Sequence, residues 1–545
     1  KCWPQARNFC LMLGMVSCPK IPDIPEEERT PLVVALLEMT HLQQEQIQTL
    51  KDEIARLKGQ NPRPKIKPSR LEADSAKDDK GGEEKRPGSA KKSKRGELEI
   101  HETKVVKADD VPPGSRFKGY EDFMVQALVI KPRNILYRRE RWKTPRGETI
   151  VAPLPQEVQA LGGHFDCTVV SFTLYQYYHA HVTQPLILEQ LREWGIDISA
   201  GQVNHIITEG HEHFHEEKKE ILRVGLEVSS YVNVDDTTAR HQGKNGFCTH
   251  IGNELFAWFR STESKSRINF LDLLRVGHED YVLNAEALEY MKSCKKVRKW
   301  LLHRLAENSQ RSFANETEWK TALVALGITR EQDVRTVTEG ALLGSVLAHG
   351  INPELVVVSD DAPQFNILLH ALCWIHTERA INKLIGFNDK HRATLKQVRT
   401  QILDFYQDLK AYREAPSAEE KAALEIRFDE LFTTPTCFAT LNEVLRRVHN
   451  NKAELLLVLE RPDIPLHNNT SERDIREYVK KRKISGSTRS QSGRRCRDTF
   501  ASLKKTCRKL GVSFWQFLND RLGGTSAIPP LPELVRRRAL ELNPP

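Results

Sequence analysis

Apolar positions recur along this chain with different periods, and each period predicts a different element. Between Val33 and Leu57, the residues Val33, Leu36, Thr40, Gln43, Ile47, Leu50, Ile54 and Leu57 fall at alternating spacings of three and four, all but two of them apolar. That is the seam of a short coiled coil that pairs two chains, and Pro62 and Pro64 stop it. Residues 121–152 alternate instead, in MVQALVI, NILYRRERW and ETIVA around Thr144-Pro145-Arg146-Gly147, and predict a small β-rich module. Residues 185–194 predict a helix, Gly195 breaks it, and Ser199 with Gln202 three positions on forms a capping box that opens a second. Helix, short Gly turn, helix suggests a helix-turn-helix, although many such pairs bind nothing. Its second helix would offer Gln202, Asn204 and His205 to DNA.

The next segments read as buried strands. Residues 228–234 (VSSYVNV), then CTHIG and LFAWF, predict a three-stranded meander. Leu355-Val356-Val357-Val358 is a continuous apolar run suited to a central strand. A helix is predicted through Ile367, Leu368, Leu372, Ile375 and Ile381, and another over 468–478, capped by Asn469 or Thr470. Helix-forming sequence near 270–345 and 388–460 interrupts the strands as two insertions.

The predicted organisation is therefore an N-terminal extension (1–30), a coiled coil (31–60) and a basic, disordered linker (61–110). A small β-rich module (111–180), a helix-turn-helix region (181–225), an α/β core (226–510) and a C-terminal tail (511–545) complete it.

Charge sharpens this picture. The chain has 545 residues and a net charge of +9, too small an excess to matter unless it is concentrated. It is concentrated: residues 61–96 hold twelve Lys or Arg against six acids, and residues 473–509 hold fourteen against three. The second stretch includes Arg473, Lys481, Arg482, Lys483, Arg494 and Arg495, a surface suited to a phosphate backbone. No stretch approaches the roughly 18 apolar residues that span a bilayer, so no membrane partner is expected. The opening KCWPQARNFCLMLGMVSCPK resembles an export signal, but the DNA-directed chemistry of the rest predicts a cytoplasmic, nucleoid-associated protein. Ten cysteines without paired spacing argue against a disulfide scaffold.

Candidate chemistry sits at the strand ends. VSSYVNV runs into Asp235-Asp236, the valine run into Ser359-Asp360-Asp361, and the 468–478 helix carries Glu472. Carboxylates at adjacent strand ends can converge though distant in sequence, and three together repel unless cations lie between them. Two Mg²⁺, or Mn²⁺ in their place, about 3.5–4 Å apart would relieve that repulsion and activate an oxygen for attack on a phosphodiester. The competing reading is that such acids are caps or surface groups. His211-Glu212-x-x-His215 spells a zinc-peptidase pattern, with a solvated helix end as the plainer reading. Cys373 and His376 have no second ligand pair at finger spacing and are expected to pack behind Asp360.

Three stretches together, VNVDDTT, VVVSDDAPQF followed by HALCWIHTERAINKL, and PLHNNTSERDIREYVKKRKISGSTRSQSG, resemble the insertion-sequence transposases of the TnpC type, the sixty-six group of bacterial insertion sequences. The resemblance covers most of residues 40–520. It implies an Asp-Asp-Glu recombinase with a ribonuclease-H-like mixed-sheet core and α-helical insertions, in which Asp235, Asp360 and Glu472 are the catalytic and metal-holding carboxylates. It matches Cys373-x-x-His376 to an element such transposases carry after the second Asp. The family usually has Asp-Glu-Thr and Asp-Gly where this chain has Asp235-Asp236-Thr237 and Asp360-Asp361, so each doubled pair offers two candidates. The family's cysteine-rich module is not visible, since residues 19–166 hold no Cys. Implied partners are double-stranded DNA (element ends and target), a second copy of the chain in a dimer or larger assembly, and small accessory proteins of the same element. The rival readings are a catalytically inactive, transposase-derived DNA-binding protein and a zinc peptidase using His211 and His215.

Overall fold

The computed structural model describes residues 163–294, 297–386 and 388–542, the stretches 99–107 and 114–155, and scattered positions between 30 and 46 and at 71 and 112. Val33, Leu36, Thr40 and Gln43 of the coiled-coil seam are helical, with Thr40 Oγ1 donating to Leu36 O at 2.8 Å. Ile47, Leu50, Ile54 and Leu57 lie outside the described residues, as does most of the basic stretch 61–110. Leu71, within that stretch, is 1% exposed and belongs to a hydrophobic core.

Residues 115–140 contain no regular element, so the alternating segment does not build the expected module. What forms is one hairpin, β1 (Arg141–Lys143) and β2 (Thr149–Val151), turned at Thr144–Gly147. Thr144 N donates to Glu148 O at 2.8 Å and Gly147 N to Thr144 O at 2.9 Å. Every residue of both strands is exposed. Alternation specifies a strand only when one face has something to pack on, and among the described residues this segment has no second layer.

Helices α1 (Cys167–Leu174), α2 (Gln184–Glu193), α3 (Ala200–Thr208) and α4 (Glu212–Val228) lead into a five-stranded sheet. Its strands are β3 (Tyr231–Thr238), β4 (Phe247–Gly252), β5 (Ala257–Thr262), β8 (Val356–Ser359) and β9 (Leu369–Leu372), in spatial order β5-β4-β3-β8-β9. β3, β4 and β5 are the expected antiparallel meander, while β8 runs parallel to β3 and β9 parallel to β8. Val357 packs into one core and Val356 and Val358 into another, which is why β8 reads as an unbroken apolar run: both faces are covered.

The first insertion separates β5 from β8. It comprises α5 (Arg267–Leu274), β6 (Tyr281–Val282), α6 (Ala285–Ser293), α7 (Lys299–Glu307), β7 (Ser312–Phe313), α8 (Glu316–Ala325) and α9 (Glu331–Ala348). The second follows α10 (Trp374–Asn382) and holds α11 (Asp389–Glu414), α12 (Ala418–Thr433) and α13 (Ala439–Asn450). Trp319 is 1% exposed in the first core and Trp374 fully buried in the second. The helix expected from Ile367 begins only at Trp374. Leu369–Leu372 pairs instead with β8 in the register Val356↔Leu369 to Ser359↔Leu372, and Leu368 breaks the chain at a φ of 53°. A parallel partner offering free hydrogen-bonding groups overrides a weak helical pattern.

The remaining helices are α14 (Asn469–Ser485), α15 (Gln491–Lys509), α16 (Phe514–Gly523) and α17 (Leu531–Leu542). The expected tail is thus structured: Leu531 and Val535 are fully buried, and Arg536 pairs with Glu227 of α4 at 2.7 Å. α2 and α3 contribute Ile187, Leu191, Val203 and Ile207 to the same core as the sheet, so the helix pair is not a separate unit.

α15 closes the open edge of the sheet. Asp498, Ser502 and Thr506, spaced four apart on one helix face, accept from the outward N–H groups of Ser261 (2.7 Å), Phe259 (2.9 Å) and Ala257 (3.2 Å). An unpaired edge strand invites another strand, and this row of acceptors removes the opportunity. Asp498 also accepts from Ser261 Oγ at 2.8 Å and Tyr478 OH at 3.0 Å and is 1% exposed. Asp498→Ala strands those donors and is expected to destabilise the protein by about 3 kcal/mol in urea unfolding, whereas Asp498→Asn, which keeps an acceptor oxygen, costs less. Equal midpoints for Asp498→Ala and wild type would refute this account of the edge.

Candidate functional site

Strand pairing brings two of the expected carboxylates side by side. Asn233 of β3 is in register with Val358 of β8, so Asp235 lies alongside Asp360, which follows the end of β8. Asp235 pairs across β4 with His250, whose ring touches Ser471 and Asp474 of α14 (2.6 and 3.2 Å), so Asp235 shares the sheet face covered by that helix. Glu472 stands in the first turn of α14. Burial first, then the nearby charges of Asp360, Asp236 and Glu472, push the Asp235 carboxyl up to about 7, against a backbone bond from Asp236 N (2.7 Å) that lowers it. Asp360 Oδ1 is buried and, among the described residues, has no hydrogen-bond partner.

The doubled acids have different surroundings. Asp236 accepts from Thr249 Oγ1 at 2.5 Å and from Gln364 Nε2 at 3.0 Å, so both its oxygens are engaged. Asp361 is exposed.

Glu472 is held by α10. Arg379 donates from Nη1 to Oε1 at 2.8 Å and from Nη2 to Oε2 at 3.4 Å, and His376 Nε2 lies 3.8 Å from Oε1. Burial lowers the His376 pKa. Cys373, fully buried at the start of α10, accepts from Asn468 N at 3.2 Å, and burial pushes its thiol up to about 11. The Cys-x-x-His pair thus braces the start of the Glu472 helix and also adjoins Asp360, with Cys373 N donating to Ser359 O at 2.9 Å. Asn468, rather than Asn469 or Thr470, is the residue before the helix, and it makes no side-chain cap. Its Nδ2 instead donates to Val234 O at 2.7 Å, tying β3 to α10 and α14 beside Asp235. Sequence reasoning missed Asn468, Arg379 and Gln364. All three stood inside the stretches quoted above (NNTSER, DDAPQF and HTERA), but nothing in the sequence marked them as partners of the carboxylates.

α14 is fixed on the sheet by a buried charge network. Asp474 meets His250 at 3.2 Å, Lys509 at 2.8 Å and Lys505 at 3.3 Å. Although burial raises its pKa, the bonds and charges of His250 and Lys509 hold its carboxyl far below the usual range.

The expected DNA contacts divide. Arg473, Lys483 and Arg495 are exposed and Arg494 half-buried. Arg482 is turned back onto Thr238 Oγ1 (2.7 Å) and Thr237 Oγ1 (3.2 Å). Lys481 corrects the sequence reading: it is buried, donates to Tyr177 O at 2.6 Å and lies 3.3 Å from the Tyr177 ring centroid. Burial, with Arg497 and Lys504, pushes its ammonium down to about 7. Gln202 and Asn204 are exposed on α3, and the capping box forms, with Gln202 Oε1 accepting from Ser199 N at 2.8 Å. Asn204 Oδ1 accepts from Gln184 at 3.2 Å.

Neither reading of His-Glu-x-x-His survives. His211 is 3% and His215 8% exposed, the first bonded to Ile206 O and the second to Thr499 Oγ1, both at 2.8 Å. They are core histidines, not a solvated helix end. Among the described residues, the set of three metal-competent side chains with all ligand atoms within 4.8 Å is His278, Asp280 and His349, remote in sequence from this motif. No described helix is long and apolar enough to cross a membrane.

With this geometry in view, residues 356–495 match the family described as "Transposase IS66 family", a span holding Asp360, Cys373, His376 and Glu472. The chain is also similar to an uncharacterized protein, y4jO, of Sinorhizobium fredii (strain NBRC 101917 / NGR234). The two are 43% identical over 322 residues, 58% of this chain and 100% of that relative.

Proposed function

The chain belongs to the IS66 transposase family, and from that premise we propose that it is an active DNA transposase of a bacterial insertion sequence, cutting and joining DNA strands with Asp235, Asp360 and Glu472. The observation that carries the proposal is the convergence of the three acids. A carboxyl pushed up to about 7 first by burial and then by the charges of Asp360, Asp236 and Glu472, next to a buried Asp360 oxygen without a partner among the described residues, is a site short of positive charge. Its hard oxygen donors fit Mg²⁺ or Mn²⁺, and Asp235, Asp360 and Glu472 would hold them. When bound, such ions supply Lewis-acid activation of an attacking oxygen and stabilisation of the leaving one.

The chain's own groups do the positioning. Asn468 holds β3, α10 and the start of α14 together, which fixes Asp235 relative to Glu472. Arg379 neutralises Glu472 and keeps its carboxylate oriented. Sheet order β5-β4-β3-β8-β9, with only β4 antiparallel to the rest, supports a ribonuclease-H-like core. Exposed Arg473, Lys483 and Arg495 beyond Glu472 suit a duplex backbone, and the helical seam residues near 33–43 suit pairing of two copies to bring two ends together.

The test is incubation of the protein with duplexes carrying the element's ends and Mg²⁺ or Mn²⁺. Metal-dependent strand cleavage and joining are expected. Binding of those ends without cleavage under either metal would leave the inactive DNA-binding derivative as the better reading.

A further inference from the structure

A cavity of about 300 Å³ opens on the opposite sheet face from Glu472, at the junction of α4, β5, α5 and α15. Its deepest cation is Lys218, 4% exposed, with its ammonium 4.6 Å from the Trp258 ring centroid. Among the described residues Lys218 makes no ion pair within 4 Å, and the charge of buried Asp498 offsets only part of its burial. Trp258, 7% exposed, also lines the cavity, and its indole N–H is without a hydrogen-bond partner. Arg260 and Arg495, both exposed, add guanidinium groups with no carboxylate partner among the described residues. Of the lining acids, Asp272 is engaged by Arg275, while Glu216 and Glu279 are exposed.

We propose that this cavity is a phosphate-binding pocket in which Lys218, Trp258, Arg260 and Arg495 receive a phosphoryl group. A buried ammonium and an orphaned N–H each cost free energy that an anion would recover, and two guanidiniums suit its oxygens. Burial also pushes the Lys218 pKa down to about 7, and a bound anion would restore its charge. Arg260 pairs across the sheet with Thr249, which donates to Asp236, the neighbour of Asp235. Arg495 belongs both to the pocket and to the basic surface assigned above to DNA. Only the identity of the phosphate's source rests on the transposase reading: a DNA backbone, or free phosphate and nucleotides.

Lys218→Met removes the charge while keeping an apolar stem in the core, and Arg260→Gln alters only an exposed side chain outside the basic stretch assigned to DNA. Duplex DNA binding is measured by anisotropy across a salt series, and inorganic phosphate binding by calorimetry. If DNA supplies the phosphate, each variant weakens DNA binding about 5- to 10-fold and lowers the salt slope by about one, and phosphate binding falls as well. Loss of phosphate binding with unchanged DNA binding identifies free phosphate or nucleotide as the source. Wild-type binding of both ligands by both variants overturns the pocket. Absence of any DNA binding by wild type counts against the transposase reading, and the phosphate titration then decides the pocket by itself.

Discussion

Replacing Glu472 with Gln is expected to lower metal-dependent DNA cleavage by about 10³-fold while leaving DNA affinity within about twofold. Gln keeps the size of the side chain and one oxygen that can accept from Arg379, so α14 should stay seated through Asp474, Lys505 and Lys509. What disappears is a negative charge beside Asp235 and Asp360, and with it one of three hard oxygen donors. Binding should persist because the exposed cations Arg473, Lys483 and Arg495 are untouched. Gel-based cleavage and anisotropy on one protein preparation separate the two properties. Full cleavage activity in the Gln variant would remove Glu472 from the mechanism.

Asp235→Asn is expected to abolish cleavage and at the same time make the metal-free protein more stable at neutral pH. The Asp235 carboxyl is pushed up to about 7 from an ordinary 3.8. Between those values the folded protein keeps a proton that the unfolded chain has released, so stability falls as pH rises across the interval. Above it the whole penalty is present, about 4 kcal/mol at about 1.4 kcal/mol per tenfold change in proton affinity. Asn carries no charge, and its Oδ1 can still accept from Asp236 N, so the variant escapes the penalty. Thermal unfolding at pH 8 should show a midpoint several degrees above wild type, with the difference shrinking towards pH 4 and on adding Mg²⁺ to wild type. A variant no more stable than wild type at pH 8 would mean that Asp235 is not electrostatically strained.

Much of this could be read along the chain because it is local or depends on burial alone. β8 was visible as an apolar run since a doubly covered strand needs no polar face, and the meander showed through its β-prone segments. The capping box needs only Ser199 and Gln202, three residues apart, and it forms as expected. Asp360 was legible for the same reason, directly after the end of β8, whereas β3 runs on through Asp235 and Asp236 to Thr238, so that pair sits within a strand and not at its end.

Other features were invisible because they depend on what lies across a gap. Asp236 and Asp361 look like Asp235 and Asp360 in sequence, but strand alternation and the reach of Thr249 and Gln364 give them different surroundings. Lys481 sits in a basic run that reads as surface, yet its helical phase turns it under Tyr177. His211 and His215 sit in a polar run and are nonetheless buried, since α4 packs that side under α15. Local sequence specifies which elements form when their own neighbours supply the hydrogen bonds and the buried face. Which carboxylates meet, which cations remain free for an anion, and whether an alternating stretch finds a partner are set by contacts between segments hundreds of residues apart, and those exist only once the chain has packed.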